Sequence, residues 1–217
     1  MLRWNFLRVQ FYFLDRSSDF LLPAGRTINP ETRKKEISAL LTSSHFLLGQ
    51  TLAKKTPALS LHPVRKGVFL LGNVLPDMVP HTFIVGSRIP RVTGGHCLPF
   101  SEPKIEHRIR NGLATGLYSA YDAFRLGLLT HYIADSFTHP HTTKQRLKHK
   151  THQEYEKELK KVLPKFLPLA DRVKPAASKN FLVKCRQQYN APPPSPERDA
   201  EWIVRVCASV FLKIASV

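Results

Sequence analysis

A long proline-free stretch from Asn111 to about Phe137 dominates the pattern of this sequence. Within it, apolar side chains recur at intervals of three and four residues, which places them on one face of a helix. These positions are Leu113, Leu117, Tyr121, Phe124, Leu128 and Tyr132. Pro140 follows, and proline interrupts the interior of a helix. Because no alternating strand pattern of useful length and no internal repeat of roughly 20–50 residues accompanies this stretch, the sequence predicts an all-α, multi-helical fold.

The chain divides into an N-terminal extension and one helical domain. Residues 1–37 mix aromatic with charged side chains and differ from the rest; they predict a poorly defined extension, with an amphipathic surface anchor as the alternative. Residues 38–217 predict the helical domain, whose Pro-rich segment 191–196 precedes the last helix. That helix has one apolar face, which favours packing against the core over membrane anchoring. Further helices are predicted at residues 45–55, 68–75, 152–163 and 180–189.

The charge balance of the 217 residues is strongly basic. There are 33 Lys+Arg against 16 Asp+Glu, for a formal net charge of +17. This excess predicts an anionic partner: nucleic acid, an acidic membrane surface or a phosphorylated substrate. Three cysteines exclude a disulfide framework that uses every thiol and fit a reducing compartment. With no apolar run of about 18 residues and no recognisable secretory signal, a cytoplasmic location is predicted, with peripheral membrane contact as an option.

Two histidines are followed by a carboxylate four residues later: His131 by Asp135, and His152 by Glu156. On a helix this spacing places both side chains on one face. Imidazole nitrogens and carboxylate oxygens are zinc ligands. A single pair on an exposed helix is usually a weak surface interaction. Two pairs and the intervening His141 within 26 residues instead predict a metal centre between helices.

These residues resemble the core signature of the zinc-dependent phospholipase C family of bacterial type. LGLLTHYIADSFTHPH, followed by HQEYE, looks like its downstream block. SSHFLLGQ, LGNVLPDM and GGHCLPF are similar to its early histidine, P-D and G-H segments, in the same order. The similarity runs from about His45 to Glu156, roughly half of the chain. It implies an all-α fold that holds up to three zinc ions between helices.

The resemblance also implies which residues bind two of the zinc ions. One ligand set is His96, His131 and Asp135. The other ligand set is His141, His152 and Glu156. His141 is preferred as a ligand because its separation in sequence from His131 matches the family. His139 is the alternative.

A third zinc ion is a separate question. The resemblance implies that Asp135 bridges the first ion to a third, to which His45 also contributes. In exported members, the N-terminal tryptophan of the mature chain completes this third site. Here 44 residues precede His45, and Trp4 is not terminal. Two zinc ions are therefore expected, and the third only with processing or a substitute ligand.

The resemblance implies hydrolysis of a phosphodiester, with a phospholipid head group as the substrate. Asp77 would orient or deprotonate the attacking water and could also bind metal. Two alternatives stay open: a related zinc nuclease, and a non-catalytic basic module with a structural zinc. Between Lys144 and Arg186 there are 13 Lys+Arg against 4 Asp+Glu. This basic surface suits an anionic membrane or a nucleic-acid backbone, or serves only solubility.

Overall fold

The computed structural model describes residues 43–78, 81–82, 89–90, 117, 119–142, 149–176, 180–191 and 193–215. The predictions for residues 1–37 and for His96 lie outside these ranges. The described helices are α1 (43–53), α2 (Pro57–Ser60), α3 (Pro63–Met78), α4 (Ala120–Ser136), α5 (His139–Thr142), α6 (His149–Phe166), α7 (Phe181–Asn190) and α8 (Pro196–Ala215). A 3₁₀ helix, Leu167–Asp171, continues α6.

The all-α fold class is confirmed. The described strands are two residues each, β1 (His81–Thr82) and β2 (Ile89–Pro90), and they pair antiparallel with His81 opposite Pro90. Within the described ranges, no helix is both long and apolar enough to cross a membrane.

The central helix α4 begins and ends with defined caps. Ser119 accepts a hydrogen bond from the backbone N–H of Asp122, and the Asp122 carboxylate accepts one from the Ser119 backbone N–H. This reciprocal capping box satisfies N–H groups that the first helical turn leaves unpaired. At the other end, the backbone N–H of Phe137 donates to the carbonyl of Ala134. The helix therefore stops at Ser136, before Pro140, and Pro140 instead lies inside the short helix α5.

The helices α3 and α4 pack with their backbones in contact. A Cβ atom on Gly72 would lie 2.3 Å from the carbonyl oxygen of Phe124, and one on Gly127 would lie 2.1 Å from that of Phe69. Both distances are shorter than van der Waals contact, so only glycine allows this approach. Beyond these glycines, α3 and α4 continue in the same direction. Asp77 on α3 therefore lies at the same end of the helix pair as His131 and Asp135 on α4.

The C-terminal helix α8 closes the core by packing against α6 and α4. Its apolar face is buried at Ile203, Val206, Cys207, Val210, Phe211 and Ile214. The ring of Phe211 lies 5.6 Å from that of Phe69 on α3, and Trp202 stacks on Phe137 with ring centroids 6.1 Å apart. Burial of such aromatic side chains is a main source of folding free energy. The core thus lies between α8 on one side and α3, α4 and α6 on the other.

Candidate metal centre

Four side chains from three helices meet in what we call the first cluster. His45 comes from α1, Asp77 from the last turn of α3, and His131 and Asp135 from α4. Asp135 extends one oxygen to each histidine: Oδ1 lies 3.1 Å from Nε2 of His45, and Oδ2 lies 3.2 Å from Nε2 of His131. The Asp77 carboxylate lies 3.8 Å from each of the same nitrogens. Ligand atoms of His45, His131 and Asp135 therefore lie close enough together to share one metal ion, and the Asp77 carboxylate lies beside them.

The second cluster is formed by α5 and α6. His141 comes from α5, and His152 and Glu156 lie four residues apart on α6. Oε1 of Glu156 lies 3.3 Å from Nε2 of His141 and 2.7 Å from Nε2 of His152. Burial alone raises the pKa of Glu156, but the contacts with the two histidines together outweigh burial and hold the pKa below its ordinary value. Glu156 is therefore a carboxylate at neutral pH and can bind a cation.

Both clusters line one pocket that opens to solvent, with an empty volume of about 510 Å³ including its open part. The first cluster contributes His45, Asp77 and Asp135, and the second contributes His141 and Glu156. Apolar side chains from α1, α6 and α8 complete the wall. Both clusters therefore face one opening, beside apolar side chains of the core.

The contacts of His131 show which of its nitrogens faces the candidate metal position. Nδ1 lies 2.9 Å from the carbonyl oxygen of Asn73, which can only accept, so Nδ1 carries the proton. Burial, followed by the nearby His45, lowers the pKa of His131, although Asp135 and Asp77 act in the opposite direction. In the neutral ring, the lone pair of Nε2 then faces an Asp135 oxygen at 3.2 Å. These two electron-rich atoms repel each other, and a cation bound between them would remove the repulsion by accepting a lone pair from each.

Both clusters fit zinc, the metal that the sequence resemblance implies. Four ligands placed tetrahedrally at about 2.0–2.1 Å from zinc lie roughly 3.3 Å from one another. The separations of 3.1 Å and 3.2 Å in the first cluster, and of 3.3 Å between His141 and Glu156, are close to this value, whereas His152 and Glu156 lie at a hydrogen-bond distance of 2.7 Å. Glu156 Oε2 is buried and has no hydrogen-bond partner among the described residues. Because an unsatisfied buried oxygen is costly, a metal ion would remove that cost.

A family model described as zinc dependent phospholipase C matches residues 44–214. The chain belongs to this family. The match includes both clusters and continues through α7 and α8, well beyond the segment on which the sequence resemblance depends. No curated protein and no solved structure matches the chain. Membership in the zinc-dependent phospholipase C family suggests a hydrolase of that kind and, together with the two clusters, supports zinc as its metal.

In this member of the zinc-dependent phospholipase C family, the structure brings together seven of the eight predicted ligands. They are His45, Asp77, His131 and Asp135 in the first cluster, and His141, His152 and Glu156 in the second. The eighth, His96, lies outside the described residues. His139 lies in neither cluster, and its ring is instead 5.8 Å from that of Tyr155. Asp77 belongs to the last turn of α3, beyond the helix that the sequence pattern predicts at residues 68–75.

Asn73 is a residue of the site that was not among the predicted site residues. It is fully buried on α3, where its side-chain Nδ2 donates to the backbone carbonyl of His45 at 2.7 Å. Its own carbonyl accepts the proton of His131 Nδ1. Pro76 lacks an N–H for the carbonyl of Gly72, so the hydrogen-bond ladder of α3 is interrupted next to Asn73. A polar residue in the apolar segment VFLLGNVL was the available signal, because a buried amide requires partners.

Proposed function

We propose that this chain is a zinc-dependent phosphodiesterase of phospholipase C type. The observation that carries the proposal is the convergence of two histidine–carboxylate clusters on one open pocket. A single structural zinc site needs neither a second cluster nor access to solvent. Two adjacent metal sites at a solvent-open pocket are typical of enzymes that hydrolyse phosphodiesters.

The residues of the two clusters have separate roles in this proposal. His45, His131 and Asp135 would hold one ion in the first cluster, since each oxygen of Asp135 faces one of the two histidines. His141, together with His152 and Glu156, holds the second ion. Bound zinc would lower the pKa of water to about 7 and neutralise charge on the phosphoryl group. Water then adds across the bond between phosphorus and the glycerol oxygen, and releases a diacylglycerol and a phosphorylated head group.

Asp77 is proposed to receive the proton of the attacking water. Its carboxylate lies at the pocket, 3.8 Å from Nε2 of both His45 and His131. Its side chain is 7% exposed, so it is shielded from bulk solvent and yet lines the pocket. A carboxylate in this position can orient a water molecule and act as a general base.

Replacing Asp77 by asparagine should lower kcat/KM for phosphodiester hydrolysis by about 100-fold or more, since general-base catalysis typically contributes 10²–10⁴-fold. The amide keeps the shape of the side chain but neither carries charge nor accepts a proton. Asp171→Asn is the matched control, because Asp171 is an exposed carboxylate of the 3₁₀ helix, with a side chain that is 70% exposed. Full activity in Asp77→Asn, with zinc bound, would refute the proposed role.

A phospholipid is the proposed substrate, because the apolar wall from α1, α6 and α8 lies beside the two charged clusters. An anionic membrane surface is the proposed partner. In support of it, Lys157, Lys161 and Lys165 are exposed on α6 at intervals of four residues and share one face.

The test is an activity screen of the zinc-loaded chain on three phosphodiesters: phosphatidylcholine vesicles with and without an anionic lipid, phosphatidylinositol vesicles, and single-stranded DNA. We expect hydrolysis of lipid, with faster turnover on anionic vesicles at low salt because screening weakens the attraction. Cleavage of DNA alone would replace the proposal with a zinc nuclease. If the chain binds two zinc ions but hydrolyses none of the three substrates, a binding module with structural zinc would be favoured.

A further inference from the structure

A buried carboxylate outside both clusters joins four helices. Asp199, in the first turn of α8, is 0% exposed. Its Oδ2 accepts hydrogen bonds from the backbone N–H of His139 at 2.7 Å and from the hydroxyl of Tyr155 at 2.6 Å. Its Oδ1 accepts a hydrogen bond from the hydroxyl of Tyr189 at 2.7 Å. Burial of a carboxylate is unfavourable without such donors, so these bonds stabilise the contact of α8 with α5, α6 and α7.

Two of the three donors belong to the elements that carry the second cluster. His139 is the first residue of α5, two residues before His141. Tyr155 precedes Glu156 on α6 and follows His152 by three residues. The third donor, Tyr189, is on α7, which carries none of the predicted ligands.

The short helix α5 depends on bonds from outside itself. Four residues are too few for a helix to be stable alone. The N–H groups of its first turn have no acceptor within the helix, and Asp199 accepts that of His139. On α6, the hydroxyl of Tyr155 ties one side of a long helix to the same carboxylate, which restricts rotation about the helix axis. Asp199 thus restrains both backbones that present ligands to the second cluster.

The first cluster is held differently. Its ligands come from α1, α3 and α4, and Asn73 links His45 to His131. In the described part of the chain, the Asp199 carboxylate accepts its hydrogen bonds from α5, α6 and α7 and not from those helices. A change at Asp199 should therefore affect one cluster and spare the other.

We propose that Asp199 is a positioning residue for the second cluster. Asp199 holds α5 and α6 so that His141 and Glu156 face each other 3.3 Å apart. This inference rests on the proposed function, in that it takes the second cluster as a metal site. It does not depend on which phosphodiester the protein hydrolyses.

The experiment compares zinc binding by the 217-residue chain and three variants: Asp199→Asn, Tyr155→Phe and Tyr189→Phe. Each protein is stripped with a chelator and titrated with Zn²⁺, and its unfolding midpoint in urea is recorded with and without zinc. We expect Asp199→Asn to keep one tightly bound ion and to bind the other about 10–100-fold more weakly, the range typical for loss of a residue that orients metal ligands. Tyr155→Phe should weaken the same ion to a smaller degree.

Tyr189→Phe is the matched control, because it removes a hydrogen bond of similar length to the same carboxylate. It should destabilise the fold about as much as Tyr155→Phe and leave the affinity for both zinc ions unchanged. If Tyr155→Phe and Tyr189→Phe weaken zinc binding equally, or if Asp199→Asn binds two ions as tightly as the wild type, the inference is wrong. Should Asp199→Asn fail to fold, the two tyrosine variants still decide the question.

A parallel assay of phosphodiester hydrolysis separates this inference from the proposed function. If the wild type binds two zinc ions but hydrolyses no phosphodiester, the proposed function fails, and the contrast between Tyr155→Phe and Tyr189→Phe still supports the role of Asp199. If the wild type hydrolyses lipid and the Asp199→Asn variant retains both ions, only the inference fails. A wild type that binds no zinc overturns both.

Discussion

Replacing His131 by alanine should abolish zinc binding at the first cluster and lower kcat/KM for phosphodiester hydrolysis by about 1,000-fold, or about 4 kcal/mol in activation free energy. His131 is fully buried, and its Nε2 faces the carboxylates of Asp135 and Asp77. Without it, the first cluster loses one of its two imidazoles, and the remaining carboxylates lose a neutral ligand that helps to hold a cation between them. Zinc content per chain and initial rates on lipid vesicles measure the two effects.

His62→Ala is the matched control for this prediction. His62 is exposed between α2 and α3 and contacts neither cluster, so its replacement should leave zinc content and activity unchanged. The second cluster should also retain its ion in His131→Ala, because His141 and Glu156 belong to other helices. Unchanged activity in His131→Ala would show that the first cluster takes no part in the reaction.

Replacing Gly127 by valine should destabilise the protein by about 3 kcal/mol or more, at the upper end of the range for overpacked cores. Even a Cβ atom at this position would lie 2.1 Å from the carbonyl oxygen of Phe69 and 2.9 Å from the backbone nitrogen of Asn73. Backbone atoms cannot rotate away as a side chain can, so α3 and α4 must move apart. The free energy of unfolding from urea titration measures this loss.

The same substitution should weaken zinc binding at the first cluster. Asn73 accepts from His131 across the interface that Gly127 keeps close, and Asp77 follows Asn73 by one turn of α3. Separation of the helices would lengthen both contacts. Ala120→Val is the control on α4, because Ala120 is exposed at the start of that helix and its replacement should change stability by less than about 1 kcal/mol. Equal destabilisation by both variants would contradict the role assigned to the close crossing.

Local periodicity was sufficient to predict the helical class and the pairs on α4 and α6. The spacing of His131 from Asp135, and of His152 from Glu156, places each pair on one helix face whatever the rest of the fold. The structure keeps that spacing, with contacts of 3.2 Å and 2.7 Å. Helix ends were less predictable. α3 continues through Pro76 because a proline near a helix end costs one hydrogen bond, which the sequence pattern alone does not reveal.

Contacts between distant segments were not predictable from spacing. Asn73 meets His131 across 58 residues, and Asp199 meets His139 across 60 residues. In both cases one partner is a backbone group. Because backbone groups are common to nearly all residue types, the amino-acid sequence does not indicate such a contact. In the sequence, Asp199 is one of two acidic residues in the first turn of a helix, a position that the helix dipole favours in any case.

The sequence by itself determined the helical class and the two histidine–carboxylate pairs, because both depend on residues three or four positions apart on one helix. Only the tertiary structure decided that His45 joins the α4 pair, that His141 rather than His139 faces Glu156, and that both clusters line one pocket. Those outcomes depend on the distance between packed helices and on the rotation of each helix about its own axis. The backbone contact at Gly72 and Gly127 and the buried carboxylate of Asp199 set these quantities, and they act between residues that are far apart in the chain.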